Sequence, residues 1–138
     1  MSVLRQFASR FRPKKLCLIV DGSLAIRRAA STILRDMRFQ VAEAETGQDL
    51  LAACRDHTPD AVLLDGTIAK RDSFSFLRML ANGEAGTQGA RAKIILCTAE
   101  RDPAEIVQAI DAGADEYLVK PFDRAVLTAK FHQLGLTA

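Results

Sequence analysis

Four residues of this chain combine into usable chemistry: Asp21, Asp65, Thr98 and Lys120. Each stands directly after a short apolar run. Asp21 follows Leu16–Val20, Asp65 follows residues 61–64, Thr98 follows residues 94–97 and Lys120 follows residues 117–119. Together they supply two carboxylates, a hydroxyl and an ammonium. A carboxylate can accept a phosphoryl group as a nucleophile. The charge that must be neutralised in such a transfer can be met by a lysine and by Mg²⁺ held on carboxylates. A hydroxyl such as that of Thr98 can bind a phosphoryl oxygen. A polar residue at the end of one apolar run says little; four of these types in this order say much more.

The elements that must position them follow from the same runs. Lengths of three to five residues without polar alternation fit strands buried on both faces of a parallel sheet, and a weaker run near residues 40–42 completes a set of five. Helical punctuation lies between them. Ser23 can cap a helix to about Met37, with Ile26, Ala30, Ile33, Leu34 and Met37 on one face. Thr46 starts a second helix that ends near His57. Ser73 starts a third, with Phe74, Leu77 and Leu80 as its apolar side. Asp102 and Pro103 open a fourth that Gly113 can end, and Asp123 caps a fifth running to about Gln133. The segment 82–91, with three glycines, reads as a flexible connection. Strand and helix thus alternate five times, (βα)5, which predicts an α/β fold: a doubly wound parallel five-stranded sheet with helices on both faces. In that architecture chemistry gathers outside the carboxyl ends of the strands, so the four residues should meet in one cleft.

Composition sets bounds on function. At 138 residues, with 49% hydrophobic and 26% charged residues, the chain suits one globular domain. No apolar run approaches the roughly 18 residues of a membrane span, and the run after the basic N-terminus is too short for a signal-peptide core, which makes the cytoplasm the expected compartment. The net charge of +2 hides an asymmetry: residues 1–15 carry five basic residues and no acid, whereas the remainder holds 14 basic and 17 acidic. The body is therefore mildly acidic, and nucleic-acid binding gains no support. Cys17, Cys54 and Cys97 share no metal-ligand spacing and read as small buried thiols; His57 and His132 have no companions at ligand spacing.

The four segments around the run ends resemble those of the receiver domain of two-component response regulators. "LIVDGSLAIRRAASTIL" is similar to that family's opening strand and acidic loop, and "AVLLDGTIAKRDSFSFL" to its phosphoacceptor segment. "IILCTAE" is similar to its switch-threonine strand, and "GADEYLVKPFD" to its closing Lys-Pro segment. The resemblance covers about residues 14–134, and with no stretch left for an output domain the chain resembles the stand-alone, chemotaxis-type regulators with a flavodoxin-like fold. It implies a basic extension over residues 1–13 and a receiver domain over 14–138. It implies Asp65 as phosphoacceptor, Asp21 as an acidic metal-site residue and Thr67 as a backbone-carbonyl ligand of Mg²⁺. Thr98 would contact the phosphoryl group, Tyr117 would be the aromatic switch behind it, and Lys120 would pair with the acidic cluster, followed by a cis peptide to Pro121. The implied partners are a histidine kinase or phosphotransfer protein and a downstream protein that docks on the face of the fourth helix, fifth strand and fifth helix. The chain would be a signalling phosphoprotein rather than an enzyme.

The departures from the family gather at the site. The second acid after the first strand is Gly22 here, which predicts weaker Mg²⁺ binding. The loop after Asp65 reads Ile68-Ala69-Lys70-Arg71-Asp72-Ser73, without the usual Pro at Ala69 or Gly at Ser73. Lys70 and Arg71 add positive charge there. They are expected to face solvent; alternatively, a cation could replace part of the metal's charge. These departures leave open a second reading, a pseudo-receiver that binds partners without phosphate or metal. A third is disfavoured: "LLDGT" is similar to the dehalogenase-type phosphatase motif, but Leu63 stands where the nucleophilic Asp belongs. No Gly-x-Gly-x-x-Gly follows the first strand, which disfavours a dinucleotide enzyme. In the extension, Val3, Leu4, Phe7 and Phe11 recur at helical spacing among arginines. The expectation is a helix packed on its own domain or a frayed tail, the alternative a basic amphipathic helix docking on a partner or an acidic membrane surface.

Overall fold

The computed structural model describes residues 14–56, 58–71, 74–82, 91–99 and 103–137. The basic extension, His57, the Ser73 start, Glu100, the Asp102 cap and most of the 82–91 connection lie outside the described residues. The strands are β1 (Leu16–Val20), β2 (Gln40–Ala44), β3 (Ala61–Asp65), β4 (Lys93–Thr98) and β5 (Glu116–Val119). The helices are α1 (Leu24–Asp36), α2 (Gly47–Asp56), α3 (Gly66–Arg71), α4 (Ser75–Ala81), α5 (Pro103–Ala112) and α6 (Arg124–Gln133). All neighbouring strands pair in parallel, in the order β2-β1-β3-β4-β5. This is the flavodoxin-like winding, with its switch point between β1 and β3.

The apolar runs lack polar alternation because both sheet faces are covered. One face carries Leu18, Val20, Val62, Leu64, Ile94 and Leu96, packed with Leu50, Leu77, Leu80 and Ala109 of the helices α2, α4 and α5. The other carries Cys17, Ile19, Leu63, Ile95, Cys97 and Leu118, packed with Ala30 and Leu34 of α1 and Leu127 and Phe131 of α6. Phe39 and Phe131 meet edge to face at 5.2 Å on that second face. The three cysteines are buried free thiols, as their neighbours in sequence suggest.

The helix punctuation works as read at several ends. Ser23 Oγ accepts a hydrogen bond from the Ile26 amide, Thr46 Oγ1 from Asp49, and an Asp123 carboxylate oxygen from Val126. Gly113 closes α5 at φ +121°, and a Cβ there would lie 2.3 Å from the Ala81 Cβ. Only glycine satisfies both the backbone and the packing against α4.

One expectation is corrected. The segment after Asp65, read as a loop, is the short helix α3, so six helices are found among the described residues rather than five. Ile68 and Ala69 are buried on the sheet, and this burial holds one and a half turns that are too short to show a 3.6-residue period. The next helix, α4, starts after Phe74. Phe74 adopts the left-handed region, φ 65°, and makes no side-chain cap. An aromatic residue in that region is strained; its ring is buried in the same cluster as Leu77 and Leu80, and that burial offsets the cost.

Candidate functional site

The carboxyl ends of β1, β3, β4 and the loop after β5 converge, and Lys120 joins them. Its Nζ donates to Asp21 Oδ2 at 2.5 Å and to Asp65 Oδ1 at 2.8 Å. These partners lie 99 and 55 residues away in sequence. The three side chains are 13, 7 and 14% exposed for Lys120, Asp21 and Asp65, so the pairing is largely shielded from water. Burial alone would lower the Lys120 pKa, but the hydrogen bonds and charges of Asp21 and Asp65 prevail and raise it above the ordinary lysine value. The lysine is thus a fixed cation. The Lys120–Pro121 peptide is cis.

Backbone bonds fix each member. The Lys120 amide donates to the Thr98 carbonyl at 2.8 Å, which ties the loop after β5 to the end of β4. The Asp21 amide donates to the Ala44 carbonyl, and Asp21 Oδ1 accepts from the Ser23 amide at 2.9 Å, which fixes the carboxylate as α1 begins. Asp65 pairs in register with Cys97, one residue before Thr98. Thr98 is buried against Gly66, where an added Cβ would come within 3.2 Å of the Thr98 Cβ. Gly66 therefore lets the chain after Asp65 turn into α3 directly beside the hydroxyl.

Tyr117 pairs with Leu96 and Val119 with Thr98, so Tyr117 and Thr98 face the same side of the sheet. The tyrosine ring is half-buried against the cluster that contains Leu96. Lys130 of α6 covers it at 4.8 Å from Nζ to the ring centroid and also pairs with Glu116 at 3.0 Å. Thr67 is exposed at the first turn of α3, beside Asp65.

Two features escaped the sequence reading. Arg27 of α1 is buried; it donates through Nη1 to the Asp21 carbonyl at 2.8 Å and pairs with Glu43 and Glu45 at the end of β2. It braces the loop that carries Asp21, and the sequence shows it only as one of two adjacent arginines on an amphipathic helix. The other is Glu105, a buried carboxylate on α5 that faces Lys70 at 3.7 Å. Lys70 is more than half exposed, as expected, and its ammonium lies toward Glu105. Arg71 is exposed.

Among the described residues no three His, Cys, Asp or Glu side chains gather to hold a metal. The acidic set is Asp21 and Asp65, with Gly22 contributing no oxygen through a side chain. Mg²⁺ is often held by one or two carboxylates with water and phosphate oxygens completing its octahedron, and Asp21 and Asp65 are the described carboxylates that could hold it. His132 is exposed on α6 and joins no cluster. Burial pushes the Cys97 thiol up to about 12 and raises those of Cys17 and Cys54, so none is poised as a nucleophile at neutral pH. No helix among the described residues is long and apolar enough to cross a membrane.

Comparison with known proteins agrees with this geometry. Residues 17–132 match the response regulator receiver domain family. The chemotaxis protein CheY of Bacillus subtilis is 35% identical over 106 residues, which cover 76% of this chain and 84% of that one. The transcriptional regulatory protein AfsQ1 of Streptomyces coelicolor is 33% identical over 113 residues, 82% of this chain but about half (48%) of that regulator. The receiver domain of the sensor histidine kinase PA1611 from Pseudomonas aeruginosa, solved with magnesium in its active-site cleft, superposes with a TM-score of 0.73 at 25% identity, covering 88% of this chain and 97% of that one. These similarities do not favour a phosphorylation-independent module. With a parallel five-stranded sheet in the order β2-β1-β3-β4-β5 and a lysine joining two strand-end aspartates, this chain belongs to the response regulator receiver domain family, whose members act in two-component signalling.

Proposed function

We propose that the chain acts as a response regulator receiver that accepts a phosphoryl group on Asp65. The observation that carries this reading is the Lys120 ammonium shared between Asp21 and Asp65. It supplies a positive charge beside the Asp65 carboxylate, where the transferred group would sit. In the transfer, an Asp65 oxygen forms the new bond to phosphorus. The bond from phosphorus to the donor breaks, and the donor leaves with its electron pair: an imidazole nitrogen of a histidine kinase or phosphotransfer protein, or the acetate of acetyl phosphate. Mg²⁺, held by Asp21, Asp65 and the Thr67 carbonyl, would add charge neutralisation.

Phosphorylation then draws Thr98 toward the new oxygens, and Tyr117, on the same sheet side, follows. Lys130 and Glu116 couple that ring to α6. The face formed by α5, β5 and α6 would change its affinity for a downstream protein in the cytoplasm. Exposed Val107, Ile110 and Val126 on α5 and α6 support such a docking role. The test is incubation with acetyl phosphate and Mg²⁺, followed by intact mass. The wild type should gain one phosphoryl group and Asp65→Ala none; an adduct of equal size on Asp65→Ala would overturn the assignment.

A further inference from the structure

The side of the cleft away from Lys120 has its own charge. A cavity of about 360 Å³ is lined by Thr67, Lys70, Arg71, Thr98, Ala99 and Glu105. It lies beside Asp65, since Thr67 and Thr98 border it and Gly66 passes against Thr98. Two hydroxyls and two cations line it, with one carboxylate. Lys70 is the cation that leans in. It stands 3.7 Å from Glu105 Oε2, beyond ordinary hydrogen-bond length, while its own side chain is 58% exposed. The contact is long and open to water at the lysine end, whereas the Glu105 side chain is only 8% exposed. Glu105 holds the lysine over the cavity without committing it.

The need for another cation follows from the acidic set. Converting the Asp65 carboxylate to an acyl phosphate adds about one negative charge at pH 7 by analogy with other phosphorylated side chains. Asp21 already shares Lys120 with Asp65, and the described residues offer no third metal-ligating side chain. We propose that Lys70 is a phosphoryl-binding residue of this site: it exchanges the Glu105 carboxylate for the phosphoryl group on Asp65 and carries part of the charge otherwise left to a divalent metal. Glu105 is its positioning residue. Arg71 lines the same cavity without an ion pair to a residue of α5 and does not share the role.

This inference rests on Asp65 being the phosphoacceptor, and the experiment separates the two. The wild-type chain and its Lys70→Met, Lys70→Arg, Arg71→Met and Glu105→Gln variants are incubated with acetyl phosphate over a Mg²⁺ titration, and adduct formation is followed by intact mass. A metal-free readout is added: the ³¹P chemical shift of the adduct after chelation. Lys70→Met should slow phosphorylation about tenfold at limiting Mg²⁺, with the gap narrowing at saturation. Its half-saturating Mg²⁺ should rise and its ³¹P shift should differ from wild type. Lys70→Arg and Arg71→Met should stay close to wild type, and Glu105→Gln should phosphorylate at least as fast. Wild-type rates, Mg²⁺ dependence and ³¹P shift in Lys70→Met would overturn the role of Lys70 and leave Asp65 standing. Equal impairment in Lys70→Arg would mean that packing, not charge, is lost, and would overturn it too. No adduct on the wild type at any Mg²⁺ would overturn the function of Asp65 and the inference with it.

Discussion

Replacing Lys120 with Met removes the charge at the centre of the cleft and keeps most of the side chain's volume. The ammonium lies 2.5 Å from Asp21 Oδ2 and 2.8 Å from Asp65 Oδ1. The two oxygens are therefore separated by at most the sum of those distances, about 5 Å. At an effective dielectric of about 20, two negative charges at that separation repel by about 3 kcal/mol. That agrees with the usual cost of removing one partner from a buried ion pair, about 3–5 kcal/mol. For a chain of this size it corresponds to a fall in Tm of about 10 °C at pH 7. The sign with pH follows from the charges. In the wild type the lysine's folded pKa is raised, so its contribution is complete below the ordinary lysine value of about 10.4 and is lost as pH rises through the higher folded value. Thermal melts of both proteins from about pH 7 to about pH 11, without metal, make the comparison. A gap under about 3 °C at pH 7 would refute the claim that Lys120 holds the two carboxylates together.

Two further outcomes follow. Gly22→Asp should fold, because a Cβ at Gly22 meets nothing within 4 Å; it should alter metal-free stability by no more than about 1 kcal/mol. Mg²⁺ should then raise its Tm more than it raises that of the wild type, through preferential binding to the folded state, and equal shifts would count against a metal site weakened by glycine. Gly113→Ala should cost about 2–4 kcal/mol in urea unfolding, from both the positive φ and the 2.3 Å approach to Ala81. Adding Ala81→Gly should restore the packing share of that loss but not the backbone share.

The order of elements and the convergence of Asp21, Asp65, Thr98 and Lys120 were legible in the chain. Strands buried on both faces leave unbroken apolar runs, and parallel pairing sends all their carboxyl ends to one edge. Each polar residue needed only to follow its run. The caps Ser23, Thr46 and Asp123 were legible for a similar reason, since they act on amides three residues away. Helix α3 was not, because its burial of Ile68 and Ala69 is set by the sheet beneath and not by a repeat within the segment.

What the sequence by itself determined, then, is the winding and the identity of the groups at the strand ends, because both depend on local periodicity and on the geometry of parallel strands. The tertiary structure alone decided how those groups are partnered. It set Lys120 between two carboxylates rather than on one, put Arg27 on the Asp21 carbonyl with Glu43 and Glu45 behind it, and turned Lys70 toward Glu105 on a helix 35 residues later. The physical reason is range. A charge selects its partner by distance through space, and at 3–4 Å that choice is set by how α1, α3 and α5 pack on the sheet, which no spacing along the chain encodes.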